Sequence, residues 1–419
     1  MYEKVCRSCQ SRNLESVLDL GMSPLSQNFL PFEKLNDFEE FYPLHLYVCT
    51  NCWLVQLEEY VSGEEIFQGE YLYLSSYSDS WVNHAKDYAD LVTNKFFLDQ
   101  NKFVIEIASN DGYLLQWFKG KKIPVLGIEP SETCSKVALE KRIPTEVIYF
   151  GAKSAVYLKK KFGSANLLIG NNVLAHVPQL NDFIAGMKII LAKDGVFTME
   201  FPHLKQLVEK NQFDTIYHEH FSYFSLMVVK KIFASHSLFL FDAEEIPTHG
   251  GSLRIYGAHI GNKSFSISDR YLEIIEQEKK LGMNTLQFYS TFKERVKETK
   301  RNLLRFLIEK VDQGRKVVGY GAPAKGNTLL NYCGIKTDLL DYVVDRSTHK
   351  IGKYLPGTHI PIYAPQKIRE TEPDYVLILP WNIKDEIIEQ MSFISDWGGK
   401  FVVPIPDLNI LDSERILTT

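Results

Sequence analysis

Two Cys-x-x-Cys pairs, Cys6 with Cys9 and Cys49 with Cys52, separated by 39 residues, constrain the start of this chain more tightly than any hydrophobic pattern does. Such a turn lets two thiolates reach one ion, and two turns supply the four sulfur ligands of a closed tetrahedral zinc site. Zinc held there has no open position and is expected to organise the chain rather than to catalyse. Two disulfides are the competing reading. Met1 to Gln10 carries Glu3, Lys4 and Arg7 without the apolar stretch of a secretory leader, which favours thiolates and a cytoplasmic location. Cys134 and Cys333 stand alone and are expected to be packed thiols.

The 419 residues have room for about three domains. A formal charge of −5 argues against a general polyanion-binding surface, so no nucleic-acid partner is expected. No apolar run approaches the roughly 18 residues of a membrane span. A monomer working on small molecules is the expectation.

Up to about residue 70 the chain is turn-rich and too short for a large core, so metal is expected to substitute for one. An aromatic run follows, Tyr71-Leu-Tyr73-Leu-Ser75-Ser76-Tyr77, which could cover a ligand pocket or simply pack on a strand. A helical pattern runs from Trp81 to Leu91. From Lys102 strands and helices alternate: Phe103 to Ile107, Val125 to Ile128, Asn166 to Ile169 and Val196 to Phe201 read as strands, with helices at Gly112 to Phe118, Ser131 to Glu140 and Asn181 to Leu191. That rhythm predicts an α/β fold, a doubly wound, mostly parallel sheet. A charged, proline-free stretch from Ser266 to Asp312 reads as a pair of helices. A second strand-and-helix block has strands at Lys316 to Tyr320, Leu339 to Val344, Tyr375 to Pro380 and Lys400 to Pro404. The expected units are a zinc-binding domain (1–70), a central Rossmann-like domain (71–265), a helical connector (266–312) and a second Rossmann-like domain (313–419).

Glu106-Ile-Ala-Ser109-Asn110-Asp111-Gly112 follows a strand and opens a helix, the setting in which backbone amides meet a ligand closely. Glu129 ends the next strand, where its two carboxylate oxygens match the two hydroxyls of a ribose. With Asn171, Asn172 and His176 after the third strand, these residues describe an adenosine-type site. A nicotinamide cofactor would prefer the missing glycines for its pyrophosphate; S-adenosylmethionine has no phosphate and tolerates their absence.

Six of the eleven histidines fall between His176 and His249, and Tyr217-His218-Glu219-His220 concentrates phenol, imidazole and carboxylate. If this segment is extended, alternation sends Glu219 away from His218 and His220; if it is a helix or turn, the three diverge around the axis, and either way one imidazole can face a cleft. Such a group suits proton abstraction beside a carbonyl. A metal pair of His218 with His220, or satisfied structural histidines, are the other readings.

The four cysteines, Tyr71 to Ser80, Glu106 to Leu114, Asn171 to Pro178, Gln212 to Ser225, His249 to Arg254 and Gly319 to Leu330 together resemble the bacterial nucleotide-sugar 3-C-methyltransferases, S-adenosylmethionine-dependent enzymes of deoxysugar biosynthesis. The resemblance implies a zinc-binding, a methyltransferase and a Rossmann-like domain in that order. It implies His220 as general base, with Tyr217 and Glu219 beside the sugar and His176 opposite. Glu106, Ser109, Asn110, Gly112, Glu129, Asn171 and Asn172 would contact the methyl donor. Tyr71 and Tyr73 would close over the reacting carbon, and Gly319, Gly321, Lys325 and Asn327 would receive the nucleotide of a nucleotide-diphosphate 4-keto-deoxysugar. Ala108 stands where relatives often have glycine and is expected to narrow the donor site slightly. An oxidoreductase using the Gly319 loop for a nicotinamide cofactor, and a zinc-dependent interaction module, are the rival functions.

Overall fold

A computed structural model describes residues 4–63 and 74–412. Its centre is a seven-stranded sheet in the spatial order Leu238–Ile246, Ser252–His259, Leu191–Pro202, Ala165–Asn171, Val104–Ile107, Val125–Ile128, Thr145–Glu146. The five strands from Leu191–Pro202 to Thr145–Glu146 are parallel. Ser252–His259 runs antiparallel to both of its neighbours, a departure from the expected parallel rhythm. The chain leaves Val104–Ile107 first toward one edge and then returns to pair on its other side through Ala165–Asn171. That reversal opens a crevice at the carboxyl ends of these strands, where ligands of open α/β sheets bind.

Local chemistry sets the helices. Ser78 accepts the Trp81 amide to start Asp79–Lys95, and Ser131 accepts the Cys134 amide to start Glu132–Glu140. The helix predicted at Gly112 begins only at Leu115, because Gly112 sits at φ 76° in a preceding turn. The charged stretch forms Asp269–Lys280 and Leu286–Asp312; the second buries Tyr289, Phe292, Val296, Thr299, Leu303 and Phe306 along one face.

A six-stranded sheet follows: Ile362–Tyr363, Val343–Val344, Val317–Tyr320, Tyr375–Ile378, Lys400–Val403, Asn409–Asp412, with the last strand antiparallel. The predicted strand Leu339 to Val344 shrinks to its last two residues, since the Leu339 and Leu340 amides turn back onto the Lys336 carbonyl.

The cysteine-bearing lobe carries strands the hydrophobic pattern had not announced, Leu14–Ser23 and Tyr42–Cys49, beside Val55–Leu57. Its fourth strand is Ser222–Tyr223, contributed by the segment just after His220. Among the described residues no helix is long and apolar enough to cross a membrane.

Candidate active site

The carboxyl ends of Val104–Ile107, Val125–Ile128 and Ala165–Asn171 open into a cavity of about 1990 Å³, also walled by the cysteine lobe and by the six-stranded sheet's loops. After the first strand the backbone passes through left-handed Ala108 (φ 55°), Asn110 (φ 49°) and Gly112 (φ 76°). The Ala108 side chain costs about 1–2 kcal/mol in that conformation. Glu129 braces the turn: one carboxylate oxygen accepts the Asn110 amide at 2.9 Å, the other the Ser131 amide at 2.8 Å. Each oxygen keeps a second lone pair, enough for two vicinal hydroxyls.

Asn110, Glu129, Asn171 and Asn172 line the cavity, whereas Glu106, Ser109 and Gly112 lie behind it and shape the turn. Glu106 is 1 % exposed, and neither carboxyl oxygen has a hydrogen-bond partner among the described residues. Burial, then the charges of Glu129, Asp111 and Glu200, hold its pKa well above the usual carboxylate range. Asn171 Oδ1 is likewise buried without a partner. Open lone pairs on Glu129 and a free amide oxygen on Asn171 fit a polar donor bearing ribose hydroxyls and an ammonium group, as S-adenosylmethionine does.

The Tyr217–His220 segment is a turn closed by the His220 amide on the Tyr217 carbonyl at 2.9 Å. Its ionisable side chains diverge. His218 reaches the Pro43 carbonyl at 3.2 Å, in the cysteine lobe. Glu219 accepts from the Ser26 hydroxyl at 3.2 Å, and burial pushes its pKa up to about 7. His218 and His220 thus take different partners, which disfavours reading them as a metal pair.

His220 Nδ1 lies 2.9 Å from the Thr215 carbonyl. A carbonyl only accepts, so the proton sits on Nδ1 and the lone pair on Nε2. The Tyr217 ring lies tilted against it at 4.1 Å and the His176 ring meets it edge-on at 4.7 Å. Burial, then neighbouring His176, hold the His220 pKa well below the ordinary histidine value; burial takes His176 down to about 4. Both imidazoles are neutral at neutral pH.

Another wall is the turn Thr248–Gly250, with His249 at φ 54°. Asn172 Nδ2 donates to His249 Nε2 at 3.0 Å, and Trp81 packs between His249 and His84, each ring centroid 4.9 Å away. His84 in turn bonds Glu200 at 2.9 Å, which Arg254 also holds at 2.6 Å. His84 was not singled out in the sequence, although Trp81, His84 and Tyr88 share one helical face at i, i+3 and i+7.

Lys325, Lys350 and Asn382 also line the cavity. Lys325 Nζ donates to Asn382 at 2.6 Å, and burial pushes its pKa down to about 8. Of the four residues expected to receive a nucleotide, only Lys325 lines the cavity. A Cβ at Gly319 would stand 2.6 Å from Val343 and one at Gly321 2.6 Å from Pro380, so both glycines serve close packing. Asn327 is turned away to the Ser26 carbonyl at 2.6 Å. Tyr71 and Tyr73 lie outside the described residues.

The Sγ atoms of Cys6, Cys9, Cys49 and Cys52 all lie within 4.8 Å of one another, with Cys6 to Cys52 at 3.5 Å and Cys9 to Cys49 at 3.6 Å. Tetrahedral zinc with its usual sulfur distance spaces its ligands about 3.8 Å apart, so the set fits the ion. Disulfides between these residues are not formed. From Cys52 the chain leads to Val55–Leu57, which pairs with Tyr223 and Ser222, while the Leu57 amide bonds the Phe221 carbonyl at 3.0 Å. On its other side the Phe221 amide bonds the Ala175 carbonyl at 2.8 Å. The backbone beside His220 is thus held between the metal lobe and the His176 turn.

Three family models match: a zinc binding domain at residues 6–67, a methyltransferase domain at 81–236 and a C-methyltransferase C-terminal domain at 247–406. The chain is 34% identical to the C-methyltransferase NovU of Streptomyces niveus over 415 residues, covering 98% of each. Solved structures with similarity include an S-adenosylmethionine-dependent methyltransferase from Anabaena variabilis, 14% identical over 41% of this chain and 83% of that one, with a TM-score of 0.35. Another, from Clostridium acetobutylicum, is 11% identical over 43% of this chain and 92% of that one, with a TM-score of 0.34.

Proposed function

The chain belongs to the C-methyltransferase family and depends on S-adenosylmethionine, and from that premise we propose that it methylates carbon 3 of a nucleotide-linked 4-keto-6-deoxyhexose. The observation that carries the reading is the His220 imidazole, fixed by Thr215 with Nε2 as its basic nitrogen, in a chamber shared with the donor turn. A ketone at carbon 4 makes the neighbouring C–H acidic. His220 Nε2 takes that proton, and the electron pair passes into the enolate.

Tyr217 and His176 stand beside His220, where a phenol O–H or an imidazole N–H can bond the enolate oxygen. Bound S-adenosylmethionine would supply an electrophilic methyl to the enolate carbon, its sulfur leaving as a neutral thioether. Burial leaves the His220 cation poorly stabilised until an enolate stands beside it, so the ion pair is favoured only in the course of reaction. Asn110, Glu129, Asn171 and Asn172 would orient the donor, and Lys325 and Lys350 would meet the acceptor's phosphates. Residues 1–70, 71–265, 266–312 and 313–419 would divide these tasks as metal lobe, donor domain, connector and nucleotide-sugar domain.

The test is incubation with labelled donor and a panel of 4-keto nucleotide-sugars, locating the added mass on the ring. His220→Asn should keep donor affinity and lose transfer by about 10²-fold or more. Wild-type turnover in that variant excludes His220 as the base.

A further inference from the structure

The short turn Phe213–Thr215, which offers its last carbonyl to His220, is held from behind by the carboxy-terminal sheet. Asp214 is fully buried; one carboxylate oxygen accepts the Trp381 indole N–H at 2.7 Å, although the two residues lie 167 positions apart. The same indole packs on the His249 turn so closely that a Cβ at Gly250 would stand 2.6 Å from its ring. Gln212, two residues before Asp214, donates to the Gly250 carbonyl at 2.8 Å. Above the indole lies the Lys325 ammonium, 4.5 Å from the ring centroid and on the cavity wall. One side chain therefore touches the Phe213–Thr215 turn that holds the base, the His249 turn and the Lys325 cation on the cavity wall.

We propose that Asp214 and Trp381 are positioning residues whose hydrogen bond orients the His220 imidazole and makes that orientation respond to an anion at Lys325. The second half rests on the reading of the acceptor as a nucleotide-diphosphate sugar. A cation over an indole polarises its N–H and strengthens donation to a carboxylate. A diphosphate that engages Lys325 changes that cation's hold on the ring, hence the ring's hold on Asp214 and the placement of the Thr215 carbonyl. Asp214 is placed to carry this link: in its buried site the Lys325 charge, the indole N–H and the backbone amides of Asp214 and Thr215 all favour its carboxylate. Binding energy from a remote group of the acceptor would then appear in kcat and not only in KM.

The test uses protein labelled with 15N-histidine. In the wild type His220 should show one tautomer, protonated at Nδ1, and inorganic pyrophosphate should shift its ring signals. Trp381→Phe keeps a ring against Gly250 and Lys325 but lacks the N–H; it should mix the His220 tautomers and lower kcat about tenfold, with donor affinity within twofold. Asp214→Asn still accepts the indole N–H and should retain the single tautomer and most of kcat. Unchanged imidazole signals in Trp381→Phe overturn the positioning role. A wild type whose signals ignore pyrophosphate overturns the coupling, and this measurement needs no variant to fold. Failure of the wild type to methylate any 4-keto nucleotide-sugar would instead remove the acceptor assignment, leaving the tautomer comparison to decide the role of the pair.

Discussion

Arg7 donates one guanidinium N–H to the Pro178 carbonyl at 3.0 Å, 171 positions away, and another to the Leu57 carbonyl at 2.5 Å. It sits between the first two cysteines, and its guanidinium lies 5.3 Å from the Phe221 ring centroid. Pro178 follows His176 by two residues and Phe221 adjoins His220, so one half-buried cation ties the metal lobe to both histidine-bearing segments.

Arg7→Met would leave two carbonyls without their charged donor. Each lost bond of this kind costs about 1–3 kcal/mol. Denaturant melts should read a loss of about 3 kcal/mol, and kcat should fall about tenfold with donor affinity unchanged by calorimetry. Full turnover in a folded Arg7→Met protein would show that the lobe does not hold the base.

Removal of zinc should act through the same connection. With the ion gone, four clustered thiolates repel and the strand Val55–Leu57 loses its anchor beside Ser222–Tyr223. Chelator treatment should release one zinc per chain, reduce hydrogen-exchange protection at residues 55–57 and 221–223, and abolish transfer. Retained protection in the metal-free protein would contradict it.

Glu129→Ala should weaken donor binding without touching His220. The variant loses the carboxylate that accepts two backbone amides and would accept ribose hydroxyls. At about 1.5–3 kcal/mol for hydrogen bonds to a charged group, the donor Kd should rise at least tenfold by titration calorimetry. An unaltered Kd would place the ribose elsewhere.

Acidification should destabilise the fold through His176, whose pKa burial lowers from 6.5 to about 4. A depressed folded-state pKa contributes stability that is present above 6.5 and is lost as pH falls toward 4. Between pH 7 and 5 this amounts to at most about 2 kcal/mol. Glu219 and Asp214, raised by burial to about 7 and about 6, act with opposite sign, losing stability as pH rises through those values. Comparing wild type with His176→Asn by denaturant midpoint cancels them, and the variant should show the smaller loss at pH 5.

Much of the site was legible because its signals are local. The Cys-x-x-Cys turns, the strand that carries Glu106 and the acidic residue ending the next strand each depend on neighbours within one turn or one strand. Gly319 and Gly321 illustrate the converse: a glycine reads alike whether it admits a ligand or a neighbouring side chain, and here Val343 and Pro380 occupy the space. His218 and His220 are also alike in sequence, two apart in one motif.

What the amino-acid order determined by itself was the metal ligand set, the doubly wound alternation of the central sheet and the short list of ionisable groups at its rim. What only the tertiary structure decided was direction: His218 turned to Pro43, His220 to Thr215, and Asp214 joined to Trp381. The reason is physical. Helix and strand patterns come from repeating contacts a few residues apart, whereas a side chain in a turn points where distant carbonyls, rings and cations satisfy it, and those partners meet only once the three sheets have packed.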